Sequence, residues 1–296
     1  MRNDRRPFVT VTKHSSANLC EVPMVINPEC PASASFVEDL VDVRGVDKTF
    51  ARKGARTEAL RGVDLAVRRG EFVSLLGPSG CGKSTLIRLI GGLLDADRGT
   101  VRVAGEAPTM ARAAKQFALV PQTPALLPWL NVRQNVGFLT RLNRGAEGHR
   151  TPDAGEVDGL LASVGLERFT EAYPHELSGG MQQRVSLVRA FALGAPIALM
   201  DEPFAALDEI SRAQMRYLLL DLWDRTRSTV LFVTHSIPEA VILSDRVVVM
   251  AARPGRISGV EQIRLDRPRN DAMEDSPAFH EHVSRLRHML RESHAA

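Results

Sequence analysis

The chain has 296 residues, of which 44% are hydrophobic, and a formal net charge of +3. This composition supports a packed globular core, and the small positive charge does not favour nucleic-acid binding. Three cysteines without a CxxC pair argue against a disulfide framework and favour a reducing cytoplasm. No run of about 18 apolar residues occurs, so we expect neither a membrane-spanning helix nor a signal peptide.

The first third of the chain predicts mainly strands. Residues 1–36 show no hydrophobic period, and we expect a disordered N-terminal extension there. The segments VEDLVDVRGVDKTF and LRGVDLAVRRGEFVSLLG predict three strands, which we interpret as an antiparallel layer. After a glycine-rich loop, residues 86–93 follow helical spacing, and TVRVAG and FALVPQ predict two strands that flank a polar turn.

The rest of the chain predicts helices around a parallel sheet. Residues from about 123 to 190 predict helices interrupted by the polar loop NRGAEGHRTPDAGE. The apolar strands PIALMDEP and STVLFVTH flank the helix EISRAQMRYLLLDLWDRT, a pattern typical of a βαβ crossover in a buried sheet. The segment RVVVMAARPGRISGVEQIRL predicts two strands around a Pro-Gly turn.

Residues 266–296 predict a peripheral C-terminal helical extension. Its segment FHEHVSRLRHML places Phe279, Val283, Leu286 and Leu290 on one helical face. We expect the histidines at 280 and 288 to face solvent rather than to bind a metal, because no other ligands frame them.

The segment GPSGCGKST, residues 77–85, matches the phosphate-binding pattern GxxxxGK[ST] between a predicted strand and a predicted helix. Glycines allow the backbone N–H groups to point inward, and the helix start adds a partial positive charge. Lys83 is then expected to neutralise the β- and γ-phosphates, and the Ser84 hydroxyl to bind Mg²⁺. An ordinary glycine turn is the alternative. The predicted nucleotide-binding residues are Gly77, Pro78, Ser79, Gly80, Cys81, Gly82, Lys83, Ser84 and Thr85.

Two acidic residues, Asp201 and Glu202, end the predicted strand IALMDEP. Buried carboxylates are unfavourable unless a cation meets them, so we assign Asp201 to Mg²⁺. Glu202 points the other way along the strand, and we assign it as the general base for the attacking water. His235, at the end of the next strand, is expected to contact the γ-phosphate and that water. The alternatives are a solvated acid pair and a structural histidine.

A second anion site is predicted at LSGGMQQR, where Ser178, Gly179 and Gly180 precede a helical run. This segment resembles the signature motif of ABC-family ATPases, and residues 37–265 follow that family's order. The resemblance implies an α/β P-loop NTPase fold with a RecA-like parallel-sheet core, an antiparallel β subdomain and a helical signature subdomain. It also implies a homodimer in the ATP-bound state, in which the signature motif, including Gln182, binds the nucleotide of the other subunit.

The resemblance assigns roles to further residues. Phe50 resembles the aromatic residue that stacks on adenine, and Gln122 the glutamine that senses Mg²⁺ and the water. Asp208 resembles the acid that signals across the dimer, and His235 the switch histidine. Ala205 departs from the SALD pattern and removes a hydroxyl, which puts one contact across the dimer in doubt. A buried edge-strand position is the alternative for Phe50, and a structural role for Gln122.

The chain carries one cassette, so the resemblance implies that ATP hydrolysis is coupled to a separate membrane permease. ALLPWLNVRQNV, THSIPEAV and VVVMAARPGRI resemble the bacterial importers of nitrate, sulfonates, taurine and pyrimidine precursors. This implies a periplasmic or lipid-anchored solute-binding protein, no nucleic acid, and a peripheral location on the cytoplasmic face of the cell membrane. The alternative is an ABC ATPase of an export system, or of a non-transport system that acts on DNA or ribosomes.

The same resemblance predicts the surface that receives a permease helix. We expect Leu126, Leu127, Pro128 and Trp129 to form an exposed apolar socket, because a solvent-facing LLPW segment has no folding reason of its own. The alternative places Trp129 in the core of the helical segment.

Overall fold

A computed structural model describes residues 39–52, 55–143 and 153–295. The predicted N-terminal extension lies outside the described residues, as do Cys20 and Cys30 and most of the polar loop that begins at Asn143. The strands are β1 (Asp39–Arg52), β2 (Ala55–Arg68), β3 (Phe72–Leu76), β4 (Arg98–Val103), β5 (Phe117–Val120), β6 (Ile197–Asp201), β7 (Thr229–Thr234), β8 (Arg246–Ala251) and β9 (Arg256–Gln262).

Eight α-helices are found in the described part of the chain. They are α1 (Lys83–Ile90), α2 (Pro108–Ala113), α3 (Val132–Leu142), α4 (Ala154–Ser163), α5 (Gly179–Ala192), α6 (Glu209–Thr226), α7 (Ile237–Leu243) and α8 (Pro277–Ala295). Within these residues, no helix combines the length and apolar character needed to cross a membrane. The predicted polar turn before FALVPQ is wrong in part, because helix α2 begins there at Pro108, a residue that the first turn of a helix accommodates.

An antiparallel sheet of three strands has the order β2-β1-β4. In β1, Val41 and Val43 are buried, as the alternating pattern predicts, and an irregularity in the pairing with β2 between Val43 and Val46 leaves Val46 buried as well. The sequence predicts β3 in this layer, and this is wrong, because β3 pairs in parallel with β7 and β8, and β4 pairs with β1 instead. All five residues of β3 are buried, which is typical of a strand covered on both faces.

The second sheet has the order β5-β6-β7-β3-β8-β9, in which the first five strands are parallel and β9 is antiparallel. Strands β6, β7 and β3 are neighbours, with Asp201 opposite Val233 and Thr234 opposite Leu76. The carboxyl ends of these three strands therefore lie side by side at one edge of the sheet. Such an edge is where open α/β sheets bind their ligands.

Side chains of the parallel strands alternate between two hydrophobic cores. One face, which includes Val73 and Leu199, packs with α1 and with the antiparallel sheet. The other face, which includes Phe72 and Phe232, packs with α5, α6, α7 and α8. On this second face Phe72 lies edge-on to Trp223 of α6, with ring centroids 5.9 Å apart. The sheet is covered on both sides, as its continuous apolar strands predict.

The C-terminal helix α8 packs through one face, on which Phe279 and Leu286 are buried. His282 on this helix is also buried, and its Nδ1 lies 2.7 Å from the Glu261 carboxylate. The backbone N–H of Arg264 donates to His282 Nε2 at 3.2 Å, so the proton of the neutral ring lies on Nδ1. The predicted apolar face thus carries a polar contact to β9 that the helical period did not indicate.

The segment between β9 and α8 forms hydrogen bonds with the C-terminal end of helix α7. The Arg269 guanidinium is buried and donates to the carbonyl oxygens of Val241, Ile242 and Ser244 at 2.8–3.1 Å. Burial lowers the pKa of Arg269 to about 10, so the side chain remains charged at neutral pH. A cation at a helix C-terminus is favourable, because the last carbonyl groups have no partner within the helix.

Replacing Arg269 with methionine should therefore destabilise the fold. The substitution leaves the α7 carbonyl groups buried without a donor, and we expect the free energy of unfolding to fall by about 2–3 kcal/mol. Urea denaturation of the two proteins measures this difference. Arg264→Met, at an exposed side chain, is the matched control. An equal loss in both variants would contradict the role given to Arg269.

Candidate functional site

The predicted phosphate loop connects β3 to α1 at the ligand-binding edge of the sheet. Gly82 precedes the first turn of α1 with φ +94°, a left-handed conformation that favours glycine. A Cβ at Gly82 would lie 2.5 Å from the Leu60 side chain, and a Cβ at Gly77 would lie 2.6 Å from the Met250 carbonyl oxygen. Close packing from two sides therefore requires glycine at both positions.

Lys83 lies across this loop and is only 4% exposed. Its Nζ donates to the carbonyl oxygens of Gly77 at 2.8 Å and Pro78 at 3.0 Å. The same ammonium group lies 3.9 Å from Glu202 Oε1. A buried cation held by carbonyl oxygens and one carboxylate is suited to neutralise a polyphosphate.

Two of the three residues predicted to bind or sense Mg²⁺, Ser84 and Asp201, are in contact. The Ser84 hydroxyl donates to Asp201 Oδ1 at 2.7 Å. Hydroxyl and carboxylate oxygens are the hard ligands that Mg²⁺ takes, usually together with phosphate oxygens and water. The donor set therefore fits this ion.

Glu202 has an unusual backbone for a non-glycine residue, with φ +47°. Such a left-handed conformation is strained and occurs preferentially at functional sites. Its Oε2 lies 3.2 Å from Nδ1 of His235, a residue that is about half exposed. The turn at Glu202 thus places one carboxylate between Lys83 and His235, which are far apart in sequence.

Lys83 and Glu202 line a cavity of about 530 Å³ between the β1–β2 hairpin and the edge of the parallel sheet, whereas His235 contacts Glu202 from outside this lining. Phe50 lines it with 39% of its surface exposed, and Lys48 Nζ lies 5.8 Å from the ring centroid. The alternative of a buried position for Phe50 is therefore wrong. Gln122, which follows β5, lines the same cavity. The predicted residues found in the lining are Phe50, Ser79, Gly80, Gly82, Lys83, Ser84, Thr85, Gln122, Asp201 and Glu202.

Sequence reasoning missed four lining residues of this cavity. Thr57, Glu58 and Ala59 lie on β2 beside Phe50, and Arg253 lies in the loop between β8 and β9. The Pro-Gly turn at Arg253 was recognised as a turn, but only the sheet order places that turn beside the phosphate loop. Three residues of the predicted loop, Gly77, Pro78 and Cys81, do not line the cavity. The carbonyl oxygens of Gly77 and Pro78 instead accept hydrogen bonds from the Lys83 ammonium group.

Cys81, within the phosphate loop, is completely buried. Burial raises the pKa of its thiol, and the nearby ammonium of Lys83, 3.8 Å from Sγ, opposes that shift. A protonated and shielded thiol reacts slowly with electrophiles, so the structure does not favour thiol sensitivity at this position.

A second cavity, of about 340 Å³, lies at the start of α5 and α6. Ser178 is the N-cap of α5, and Asp208 is the N-cap of α6. The hydroxyl and the backbone N–H of Ser211 both donate to the Asp208 carboxylate, and they lower the pKa of this group. Ser178, Gly179, Gly180 and Asp208 line this cavity together, and none of them lines the first one.

Gln182 is not part of either cavity. Its side-chain amide donates to the carbonyl oxygens of Pro174 at 2.9 Å and Leu177 at 3.3 Å. The contact of this residue with the nucleotide of the other subunit stays a prediction. Its hydrogen bonds instead hold the short segment that leads into the signature motif.

The predicted apolar socket is only partly exposed. Trp129 is 68% exposed, so its alternative placement in the core is wrong. Leu126 is partly buried against the large hydrophobic core and does not form an open surface as predicted. Arg189 of α5 is buried and donates to the carbonyl oxygens of Pro124 and Ala125, which fixes the chain between Gln122 and Trp129.

Comparison with known proteins shows the family of the chain. The family described as ABC transporter matches residues 60–205. An uncharacterized ABC transporter ATP-binding protein of Methanocaldococcus jannaschii is 45% identical over 77% of this chain and 84% of that protein. The aliphatic sulfonates import ATP-binding protein of Pseudomonas syringae is 44% identical, over 79% of this chain and 90% of that protein.

Two further proteins agree with this result. The taurine import ATP-binding protein of a Jannaschia species is 44% identical over 73% of this chain and 79% of that protein. A dimeric ATP-binding cassette, solved in a post-hydrolysis state with ADP and Pi, superimposes with a TM-score of 0.65 at 33% identity. It covers 76% of this chain and 100% of the solved chain. The predicted P-loop ATPase fold is confirmed, and the chain belongs to the ABC transporter family of ATP-binding proteins.

Proposed function

We propose that this ATPase energises the import of a small solute through a separate membrane permease. The proposal that the protein hydrolyses ATP rests on the position of Glu202, whose carboxylate lies between the phosphate-loop lysine and His235. The names of the taurine and sulfonate import relatives support the transport part. Aliphatic sulfonates, taurine, nitrate and pyrimidine precursors are the candidate solutes.

The phosphate loop and its neighbours bind the substrate ATP. Phe50 stacks on the adenine ring, backbone N–H groups of residues 79–85 bind the phosphates, and Lys83 neutralises the β- and γ-phosphates. Ser84 and Asp201, with Gln122 nearby, would hold Mg²⁺, which supplies charge neutralisation of the phosphate oxygens when bound.

Glu202 acts as the general base. It takes a proton from the attacking water as the new bond forms between the water oxygen and the γ-phosphorus. The bond from the γ-phosphorus to the bridging oxygen breaks, and ADP carries the electron pair away. His235 forms a hydrogen bond with Glu202 and keeps its carboxylate aligned with the γ-phosphate.

The second cavity binds the γ-phosphate of a partner subunit. Its backbone N–H groups at the start of α5 form an anion site, and it shares no lining residue with the first cavity. A solved relative of this fold is dimeric. ATP would therefore lie between two copies, with Asp208 close to the partner, and Trp129 would lie on the surface that meets the permease on the cytoplasmic face of the membrane.

An exporter is the second candidate, since the ATPase chemistry would be the same. The importer is preferred because ATP-binding proteins named for import match over most of this chain at 44% identity. Purification of the tagged full chain from membranes of its host distinguishes the two. Recovery of a permease with a solute-binding protein supports import, whereas a permease alone, or ribosomes or nucleic acid, would contradict it.

Glu202→Gln should separate ATP binding from hydrolysis. The amide keeps the size of the side chain but cannot accept the proton, so we expect the kcat to fall by about 10²–10⁴-fold with ATP affinity nearly unchanged. Phosphate release and binding of a fluorescent ATP analogue measure the two quantities. Glu106→Gln, at an exposed side chain in a turn, is the control. Normal turnover by Glu202→Gln would contradict the assignment of the base.

Ser178→Arg should block the ATP-dependent dimer without emptying the subunit's own nucleotide site. The larger side chain fills the second cavity, where the partner's γ-phosphate would bind. In the Glu202→Gln background, we expect size-exclusion chromatography with ATP to show a dimer, and the added Ser178→Arg change to leave a monomer. ATP binding to the monomer should remain within about twofold, since the first cavity is unaltered. A dimer that persists would contradict the proposed role of this cavity.

A further inference from the structure

We propose that Arg212 and Glu239 form a positioning pair that links the signature cavity to the hydrolytic site within one subunit. Arg212 lies on α6 and holds the segment that ends at Asp208. Glu239 lies on α7 and holds the strand end that carries His235. The inference rests on the proposed roles of Asp208 and His235, and it adds a connection between them.

Glu239 fixes both neighbours of His235 in the chain. The Thr234 hydroxyl donates to Glu239 Oε2, and the Ser236 backbone N–H donates to the Thr234 hydroxyl oxygen at 2.9 Å. The backbone N–H of Glu239 in turn lies 3.5 Å from the Ser236 hydroxyl oxygen. The backbone on each side of His235 is therefore tied to the start of α7, and a shift of Glu239 changes the position of the His235 ring.

Arg212 makes the corresponding contacts on the side of the signature cavity. Its Nη2 donates to the Leu207 carbonyl oxygen at 3.0 Å, and its backbone N–H donates to the Asp208 carbonyl oxygen at 2.8 Å. Leu207 and Asp208 both line the second cavity. A ligand in this cavity that shifts the backbone at Leu207 would therefore also shift the guanidinium group of Arg212.

The two residues meet between α6 and α7. Arg212 Nε lies 3.6 Å from Glu239 Oε1, which is an ion-pair distance but longer than a hydrogen bond, and among the described residues this Nε has no hydrogen-bond partner. A small movement of α6 towards α7 would close the hydrogen bond. The strength of the contact thus depends on the relative position of the two helices.

A merely structural role does not explain a charge at this position. Glu239 is only 4% exposed, and burial raises the pKa of its carboxyl group, while the hydrogen bond from Thr234 and then the charges of Arg212 and Arg216 oppose that shift. Well-packed apolar residues commonly replace a buried ion pair without loss of stability. A buried carboxylate that contacts both Thr234 and Arg212 is therefore better explained by its position between two functional segments.

The chain offers a matched control in the same cluster. Arg216, one turn after Arg212, donates to the Glu274 carboxylate at 3.0 Å, and Tyr217 also donates to this group. This pair likewise joins α6 to another part of the chain, but within the described residues the Glu274 carboxylate bonds to Arg216 and Tyr217 rather than to the strand end at His235. Glu274→Gln removes a similar ion pair and leaves the proposed link in place.

The test compares Glu239→Gln with Glu274→Gln in the full chain, by kcat, ATP dissociation constant and thermal midpoint. We expect Glu239→Gln to lower the kcat about tenfold, with ATP affinity within about twofold, because misplaced catalytic groups slow chemistry more than binding. Glu274→Gln should keep its kcat within about twofold. Arg212→Lys, which keeps the charge but loses the planar fork, should reproduce the loss in kcat and tests the pair even where Glu239→Gln folds poorly.

A double-mutant cycle with His235→Ala tests the route of the effect. If Glu239 acts through His235, adding Glu239→Gln to His235→Ala lowers the single-turnover rate no further. Multiplied losses, or equal losses in the Glu239→Gln and Glu274→Gln variants, would overturn the positioning role. A normal rate in His235→Ala would overturn both this role and that of His235. A slow His235→Ala with a normal Glu239→Gln would overturn the positioning role alone.

Discussion

The parallel pairing of β6, β7 and β3 is the constraint on which the hydrolytic site depends. These strands end at Asp201, Thr234 and Leu76, and each is followed at once by a residue or loop of the site. Because of this pairing, the Glu202 carboxylate lies within 4 Å of both Lys83 Nζ and His235 Nδ1, although the three residues are widely separated in sequence. A register shift in any of the three strands would turn alternate side chains to the opposite face and separate these groups.

Helix starts determine the rest of the site. Ser178, Asp208 and Ser236 each cap a helix by accepting a hydrogen bond from the third backbone N–H of that helix. Each cap therefore fixes the direction in which the preceding segment leaves the helix, and each preceding segment carries a functional residue or motif. The same local interaction thus positions the signature motif, the acid of the second cavity and the segment of His235.

Short motifs made most of the site predictable from sequence, because phosphate loops, strand-end acids and helix caps are local in the chain. The residues that were missed owe their positions to contacts between distant segments. Arg253 reaches the first cavity only through the pairing of β8 with β3. Similarly, the place of β3 in the parallel sheet, rather than in the antiparallel layer, is set by two partners that follow it by more than 150 residues.

The C-terminal segment makes contacts with α6 and α7 that its local sequence pattern does not predict. Its charge and helical period indicated a peripheral extension, yet Arg269 binds the last carbonyl groups of α7 and Glu274 binds Arg216 and Tyr217 of α6. These are the two helices that begin next to His235 and at Asp208. Because a helix is stiff along its axis, holding the last turn of α7 also limits the movement of its first turn, which follows His235. The segment therefore contacts both helices, α7 at its C-terminal end and α6 at its middle.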